Sequence, residues 1–304
     1  MERTQHHTNR TDVAIIGGGP AGLQAALTLG RIHRDAVLFD DGTYRNAQAA
    51  QMHNVVAHDG APPSGFRAVA RRQLAAYDTI TVRDVRVTDV LEADGGFRLV
   101  LADDSVLTAE ALVLATGVRD ELPAIDGLDE LWGDLAAHCP FCHGHEFSGQ
   151  RIAILGAEAA PHLSALLGPI ASELLVMTHG ENLPDPWSGP AAVRGEKVLG
   201  LDRWDGGVRV RFTEGDDEQV AAVFVAAAFH QSAPFAERLG LELNPSGCVR
   251  IDELGRSSLP GVFCAGDMAH LPAHPKPMAS VTIAAAAGQL AASAALMHLM
   301  SSGD

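Results

Sequence analysis

Residues Asp12 to Asp40 impose the tightest constraint on how this sequence folds. Asp12-Val-Ala-Ile-Ile-Gly17 is a short apolar run ending in glycine, the pattern of a parallel strand buried on both faces. Helical spacing then runs from Pro20 to Gly30, and Val37-Leu-Phe-Asp40 reads as a second strand. Strand, glycine turn, helix and strand over about 30 residues make a βαβ unit. The turn itself, Gly17-Gly18-Gly19-Pro20-Ala21-Gly22, satisfies G-x-G-x-x-G at 17, 19 and 22. Gly17 permits the tight turn, Gly19 lets backbone approach a pyrophosphate, and Gly22 lets helix and strand pack closely. Pro20 and Ala21 open the helix whose N-terminus faces the phosphates. Asp40 ends the next apolar run and is therefore preferred over Asp41 as the acceptor for ribose hydroxyls.

A second unit of the same design starts at Arg151-Ile-Ala-Ile-Leu-Gly156, with a helix expected over Ala160 to Ile170 and a strand over Leu174 to Met177. The sequence thus holds two similar α/β halves. Between them lie a polar loop region (Asp41 to Pro63) and a helical stretch (Ser64 to Tyr77). Thr79 to Ala109 alternates apolar and polar residues, with turn signals at Asp94-Gly-Gly and Asp103-Asp-Ser, and reads as a small antiparallel meander. Ala111 to Ala115 is another buried strand, closed by Thr116-Gly117. Val208 to Phe212 and Val220 to Ala226 supply further strands, and Gly261-Val-Phe-Cys264 runs into Ala265-Gly266-Asp267. A length of 304 residues, 47% of them apolar, suffices for two ordinary cores. Gly and Pro cluster near Gly117 to Pro123 and near residues 232 to 245, the expected joints. The expected architecture is α/β, with two Rossmann-like dinucleotide-binding domains, the second inserted into the first. The first would cover 1–117 and 240–304, the second 118–239.

Charge and composition remove several classes of function. The balance of 22 basic against 38 acidic residues gives a net charge of −16, the wrong sign for a general nucleic-acid binder. Met1 to Arg10 is polar, with no apolar stretch of a signal peptide. Val281 to Met300 is the most lipid-like stretch, but Gly288, Gln289, Ser293 and His298 interrupt it, so a buried core helix is expected rather than a membrane span. Four cysteines are too few for a disulfide-stapled secreted fold, and a cytoplasmic protein is expected.

Two of those cysteines stand in Cys139-Pro140-Phe141-Cys142-His143-Gly144-His145. In a cytosolic protein, the C-x-x-C pattern reads as redox or metal chemistry. Two thiols at a helix start can close a disulfide, and a helix N-terminus favours thiolate. A zinc site needs two more ligands; His143 and His145 are near, but there is no second C-x-x-C. His143 titrates near neutrality and can take a proton from a thiol. His145, and His53 in the loop after the first βαβ unit, are further candidates. Cys264 stands on an expected buried strand, and both it and Cys248 read as structural thiols.

Thr116-Gly117 and Gly266-Asp267 are glycine turns after strands, like Gly17. An Asp at such a turn can hold a ribityl or ribose hydroxyl. Three turns in this order resemble the two-dinucleotide-domain flavoproteins. That resemblance implies that the first G-x-G-x-x-G, Ala115-Thr116-Gly117 and Gly266-Asp267 bind FAD. With the C-x-x-C just before the second nucleotide-domain strand, the stretch from Asp12 to Leu299 is similar to the low-molecular-weight thioredoxin reductases. The likeness implies that Cys142 lies by the flavin and Cys139 exchanges with an external thiol. It implies a homodimer, and an acid/base residue after the second cysteine, where His143 stands here.

The second half departs from that family. A reductase drawing electrons from NADPH needs its own G-x-G-x-x-G/A, but here the stretch reads Gly156-Ala157-Glu158-Ala159-Ala160-Pro161. Glu158 puts a side chain and a negative charge where backbone should meet pyrophosphate. After the next strand Met177-Thr178-His179-Gly180-Glu181-Asn182 has no arginine for a 2′-phosphate. Electrons would then enter at the C-x-x-C. This pattern resembles the dithiol oxidases of natural-product pathways, which close disulfides of gliotoxin and holomycin type. The resemblance implies a small-molecule dithiol substrate, with dioxygen as electron acceptor and hydrogen peroxide as product. A thioredoxin-disulfide reductase fed by NADPH or ferredoxin is the alternative, and a non-catalytic disulfide sensor a third.

Overall fold

The computed structural model describes residues 9–184, 187 and 189–302; residues 1–8 of the expected leaderless N-terminus, and both outer ends of the expected first domain, lie outside the described residues. The protein divides into two compact units, one of Met1–Arg45, Ser64–Arg119 and His230–Asp304, the other of Asn46–Pro63 and Asp120–Phe229. The first unit opens with β1 (Arg10–Ile16), α1 (Pro20–Arg31), β2 (Ala36–Phe39), α2 (Pro63–Leu74) and β3 (Ile80–Arg83). It continues through β4 (Val87–Ala93), β5 (Gly96–Leu101) and β6 (Val106–Leu114), and the backbone leaves along β7 (Val118–Glu121). The second unit runs α3 (Leu128–Leu131), β8 (Ala136–Ala137), α4 (Pro140–His143), β9 (Arg151–Leu155), α5 (Ala160–Leu167) and β10 (Glu173–Met177). After it come β11 (Ala192–Arg194), β12 (Val198–Trp204), β13 (Gly207–Phe212), β14 (Glu218–Val220) and β15 (Ala222–Val225). The return is along β16 (Ala228–Gln231), which pairs with β7. Then come α6 (Phe235–Arg238), β17 (Val249–Arg250), β18 (Val262–Cys264), β19 (Ala269–His270) and α7 (Val281–Ser302).

The sheet of the first unit has the order β3-β2-β1-β6-β5-β4, with β18 also on β6. β2, β1, β6 and β18 pair in parallel, so the glycine turns after β1, β6 and β18 leave one edge of the sheet together. All four residues of β2 are buried, as expected of a strand covered on both faces. Two expectations need correction. β3 is no part of the antiparallel meander: Ile80 to Arg83 pair in parallel with Ala36 to Phe39. Residues 106–109 and 111–114 form one strand, not two. Its burial alternates where it pairs with antiparallel β5 and becomes continuous where β18 replaces β5 as neighbour.

The long C-terminal helix also differs from expectation. α7 buries alanines 284, 291, 292, 294 and 295, and crosses α1 where Gly288 meets the Ala21 carbonyl, a place with no room for a Cβ. Its other side leaves Ile283, Leu290, Met297 and Met300 exposed, so it is not a helix buried all round. By length and composition it is the one helix among the described residues apolar enough to cross a membrane.

In the second unit a five-stranded sheet, β11-β10-β9-β15-β8, is parallel throughout. A separate antiparallel sheet, β12-β13-β14, is packed against it through Leu201, Val208 and Val210. β8 is the edge strand that leads straight into Cys139.

Candidate active site

The turn after β1 is built for backbone rather than side chains. Gly17 has φ +119°, and a Cβ there would overlap the Ala115 carbonyl at the end of β6. A Cβ on Gly22 would overlap the Gly17 carbonyl, so the helix seats on the turn only with glycine at both places. Gly19 is the open position: nothing else lies within 4 Å of a Cβ built there. Pro20 and Ala21 begin α1 behind it. This is a cradle that side chains would fill and a pyrophosphate fits.

Asp40 follows β2 and is 2% exposed. Its Oδ2 accepts from the Tyr44 hydroxyl at 2.7 Å and from Arg71 Nη1 at 2.9 Å, and its Oδ1 accepts from the Gly42 amide at 3.0 Å. Burial and the Asp40 carboxylate push the Tyr44 phenol up to about 12. Gly18, the middle residue of the motif, has a purpose of its own: any Cβ there would overlap the Asp40 carboxylate. Thr116 Oγ1 donates to Met268 Sδ at 3.3 Å, and Gly117 has φ +68°. Gly266 is left-handed at φ +76°, and Asp267 accepts from Arg45 Nη1 at 2.8 Å. Sequence reasoning passes over Gly18, Tyr44, Arg71 and Arg45. Only Gly18, inside a run of three glycines, carries a visible signal.

In the second unit Cys139 and Cys142 are joined as a disulfide with Cα atoms 5.3 Å apart. Cys139 caps α4 in extended conformation, Pro140 starts the turn, and the Cys142 and His143 amides donate to the Cys139 carbonyl. Phe141, between the two cysteines, is 67% exposed. His143 is half-buried, and its Nδ1 has no hydrogen-bond partner. Burial pushes this imidazole below the ordinary histidine range; Glu146, a backbone hydrogen bond with Gly133 and Asp134 act upward, and His53 acts downward. The resident form at neutral pH is therefore the neutral ring, which can accept a proton. His145 is exposed. His53 lies within 3.5 Å of both Glu146 and Asp59. No cluster fit for a metal ion occurs among the described residues. Cys248 and Cys264 are buried free thiols, both pushed upward by burial.

The turn after β9 begins like the one after β1. Gly156 has φ +109° and its amide donates to the Met177 carbonyl. Beyond it Ala157 is buried, Glu158 is exposed, and Pro161 lies in the first turn of α5. On neighbouring β11, Arg194 is engaged by Glu196 and by Glu218 at 2.9 Å.

Two dinucleotide-type sheets, one glycine cradle and one C-x-x-C disulfide define a flavin-dependent disulfide oxidoreductase. The chain belongs to the pyridine nucleotide-disulphide oxidoreductase family, whose model matches residues 11–160 and 191–288. It is similar to the thioredoxin reductase aclD of Aspergillus oryzae, at 34% identity across 84% of this chain and 88% of that one. The thioredoxin reductase tcpT of Claviceps purpurea is 33% identical across 86% and 87%. The crystal structure of HlmI superposes with a TM-score of 0.88, at 31% identity, over 99% of this chain and 96% of that one. The α/β fold with two FAD/NAD(P)-type domains is thus borne out, as are the thioredoxin-reductase-like kinship and FAD as the cofactor.

Proposed function

We propose that this protein is an FAD-dependent dithiol oxidase that closes an intramolecular disulfide in a small-molecule, natural-product dithiol. The observation that carries this reading is the turn after β9. Its Glu158 and Pro161 offer a nucleotide pyrophosphate no cradle, and the Arg194 guanidinium on β11 is spent on two carboxylates. The Cys139–Cys142 disulfide then serves as the port for electrons. FAD would be held by Gly17, Gly19, Pro20, Ala21, Gly22, Asp40, Thr116, Gly117, Gly266 and Asp267, in a domain of 1–117 and 240–304. The inserted domain, 118–239, is a degenerate nucleotide domain given over to the C-x-x-C.

A substrate thiol gives its proton to His143, and the thiolate attacks Cys139 Sγ. The Cys139–Cys142 bond breaks, Cys142 leaves as thiolate, and a mixed disulfide remains on Cys139. The second substrate thiol attacks the substrate sulfur of that bond. Product leaves as a cyclic disulfide, and its last proton passes to Cys139. FAD, when bound, would supply the two-electron acceptor through which the Cys139 and Cys142 thiols close again to the disulfide, with dioxygen as the final oxidant and hydrogen peroxide as product. Exposed Phe141 gives a small apolar substrate something to lie against beside the disulfide. The exposed stripe Ile283, Leu290, Met297 and Met300 supports a homodimer, cytoplasmic by its reduced buried thiols.

One observation favours the alternative, a reductase fed by NADPH: the Lys197 stem lies 3.5 Å from the position of a Cβ on Gly180, at the turn where a 2′-phosphate would bind. Aerobic turnover of a small dithiol separates the two. Equal yields of disulfide and hydrogen peroxide without added nicotinamide support the oxidase; no oxygen uptake with dithiol refutes it.

A further inference from the structure

The turn at Gly266–Asp267 is held from behind by a frame of side chains that no motif marks. Gly266 stands against the start of α1: a Cβ there would lie 3.2 Å from that of Ala21, so the turn borders the glycine cradle. The carbonyls that follow accept from side chains. The Cys248 thiol donates to the Asp267 carbonyl at 3.4 Å, Gln231 Nε2 to the Met268 carbonyl at 2.9 Å, and Asn244 Nδ2 to the His270 carbonyl at 2.9 Å. Cys248 and Asn244 are buried, and burial pushes the Cys248 thiol up, so it keeps the hydrogen it donates. His270 closes the frame. Its Nδ1 donates to the Leu271 carbonyl at 2.9 Å, which leaves Nε2 to accept from the Ser246 hydroxyl at 2.7 Å. All of these residues belong to the first unit.

Gln231, the last residue of β16, is the centre of this frame. Its Nε2 also donates to the Gly247 carbonyl at 3.1 Å, while its Oε1 is buried without a partner. Reversing the amide would set that oxygen against two carbonyls, so its orientation is fixed. The side chain is therefore placed for its two donated bonds, which offset the burial of an unpaired oxygen. The next amide, that of Ser232, donates to the Gly117 carbonyl at 3.2 Å. Residues 231 and 232 thus tie the turn at Gly117 to the turn at Gly266–Asp267.

We propose that Gln231, with Cys248 and Asn244 beside it, is a positioning residue for FAD: it holds the Gly266–Asp267 turn in the conformation that takes the cofactor. The inference rests on the reading that this turn holds FAD, and not on which substrate reduces the flavin. A peptide unit is planar, so holding the Asp267 and Met268 carbonyls fixes the two peptide planes after Asp267 and narrows the directions its carboxylate can take. A site already ordered loses less freedom on binding than one that must be ordered first.

The test is release of FAD from the diluted holoenzyme, followed by the gain in flavin fluorescence, with Tm recorded beside it. Gln231→Leu should release FAD about tenfold faster than wild type, and Cys248→Ala about threefold faster. Gln231→Glu is the second variant. As a carboxylate it opposes two carbonyls; as a neutral acid its O–H donates to one of them. Its release rate, taken against wild type at the same pH, should therefore fall from about pH 8 to about pH 5, a trend that Gln231→Leu lacks. Ser246→Ala removes a hydrogen bond of the same frame but touches no carbonyl of the turn; it should lower Tm and leave release within about twofold. Wild-type release from Gln231→Leu, no pH trend in Gln231→Glu, or Ser246→Ala as fast as Gln231→Leu would each overturn this inference alone. Asp267→Ala should also release FAD faster than wild type. Unchanged release in that variant would overturn the reading of the turn, and this inference with it.

Discussion

The turns after β1 and after β9 are the same structure put to different use. Both open with a left-handed glycine, Gly17 at φ +119° and Gly156 at +109°. In both, that glycine's amide donates at 2.9 Å to the last carbonyl of the next strand, Phe39 or Met177. Then they part. Gly17 abuts the Ala115 carbonyl, and three further glycines follow within five residues. Gly156 has nothing within 4 Å of its Cβ position and is followed by Ala157, Glu158, Ala159, Ala160 and Pro161. The first glycine belongs to the turn itself, whose left-handed backbone strains any other residue. Of the later ones, Gly18 and Gly22 make room for the Asp40 carboxylate and the Gly17 carbonyl, and Gly19 is left open for a ligand; the second unit has no glycine at any of the three places.

The largest effect should come from attacking the shared glycine in the unit that uses it. Gly17→Val should give protein without bound FAD, seen as loss of visible absorbance. The corresponding Gly156→Val should keep its flavin and lose only about 1–3 kcal/mol of stability, the cost of a strained left-handed residue. Equal loss of flavin in both would erase the contrast. Cys142→Ser should abolish flavin reduction by dithiols while FAD stays bound; ordinary turnover in that variant would sink the mechanism. His143→Ala should slow anaerobic flavin reduction by about 100-fold. Because burial holds His143 below the usual histidine range, wild-type rates should already be level near neutrality and fall only in acid. The variant should lack that acid limb, and a pH-rate profile that keeps it would take His143 out of the role. Glu158→Gly with Pro161→Ala should have the smallest effect, at most about a tenfold gain in flavin reduction by NADPH, since the stretch after β10 would still have no arginine for the 2′-phosphate. A gain beyond about 1,000-fold would mean that these two residues alone separate the halves.

The features legible in sequence were those that backbone geometry makes unavoidable. Gly17, Gly19 and Gly22 announce their turn because no other residue type fits, and the apolar runs of β1, β2 and β9 announce strands covered on both faces. What stayed hidden depends on neighbours. β6 reads as two pieces because its burial pattern changes with its partner strand, and the alternation before β4 reads as meander although β3 pairs with β2. The exposed side of α7 was hidden because alanine, isoleucine and methionine are apolar whether or not anything covers them. Around the candidate site, Tyr44 and Arg71 on Asp40, and Glu146 by His53, come together only in the fold. No motif spacing records such meetings.

The central claim is that electrons enter through the Cys139–Cys142 disulfide and not through a nicotinamide nucleotide. Mixing the purified yellow protein without oxygen with a small dithiol, and separately with NADPH and with NADH, tests it directly by flavin absorbance. Bleaching by dithiol alone, reversed with release of hydrogen peroxide when air is admitted, is the result this account predicts. Rapid bleaching by NADPH would contradict it and make the protein a thioredoxin reductase whose second turn binds nucleotide despite Glu158 and Pro161.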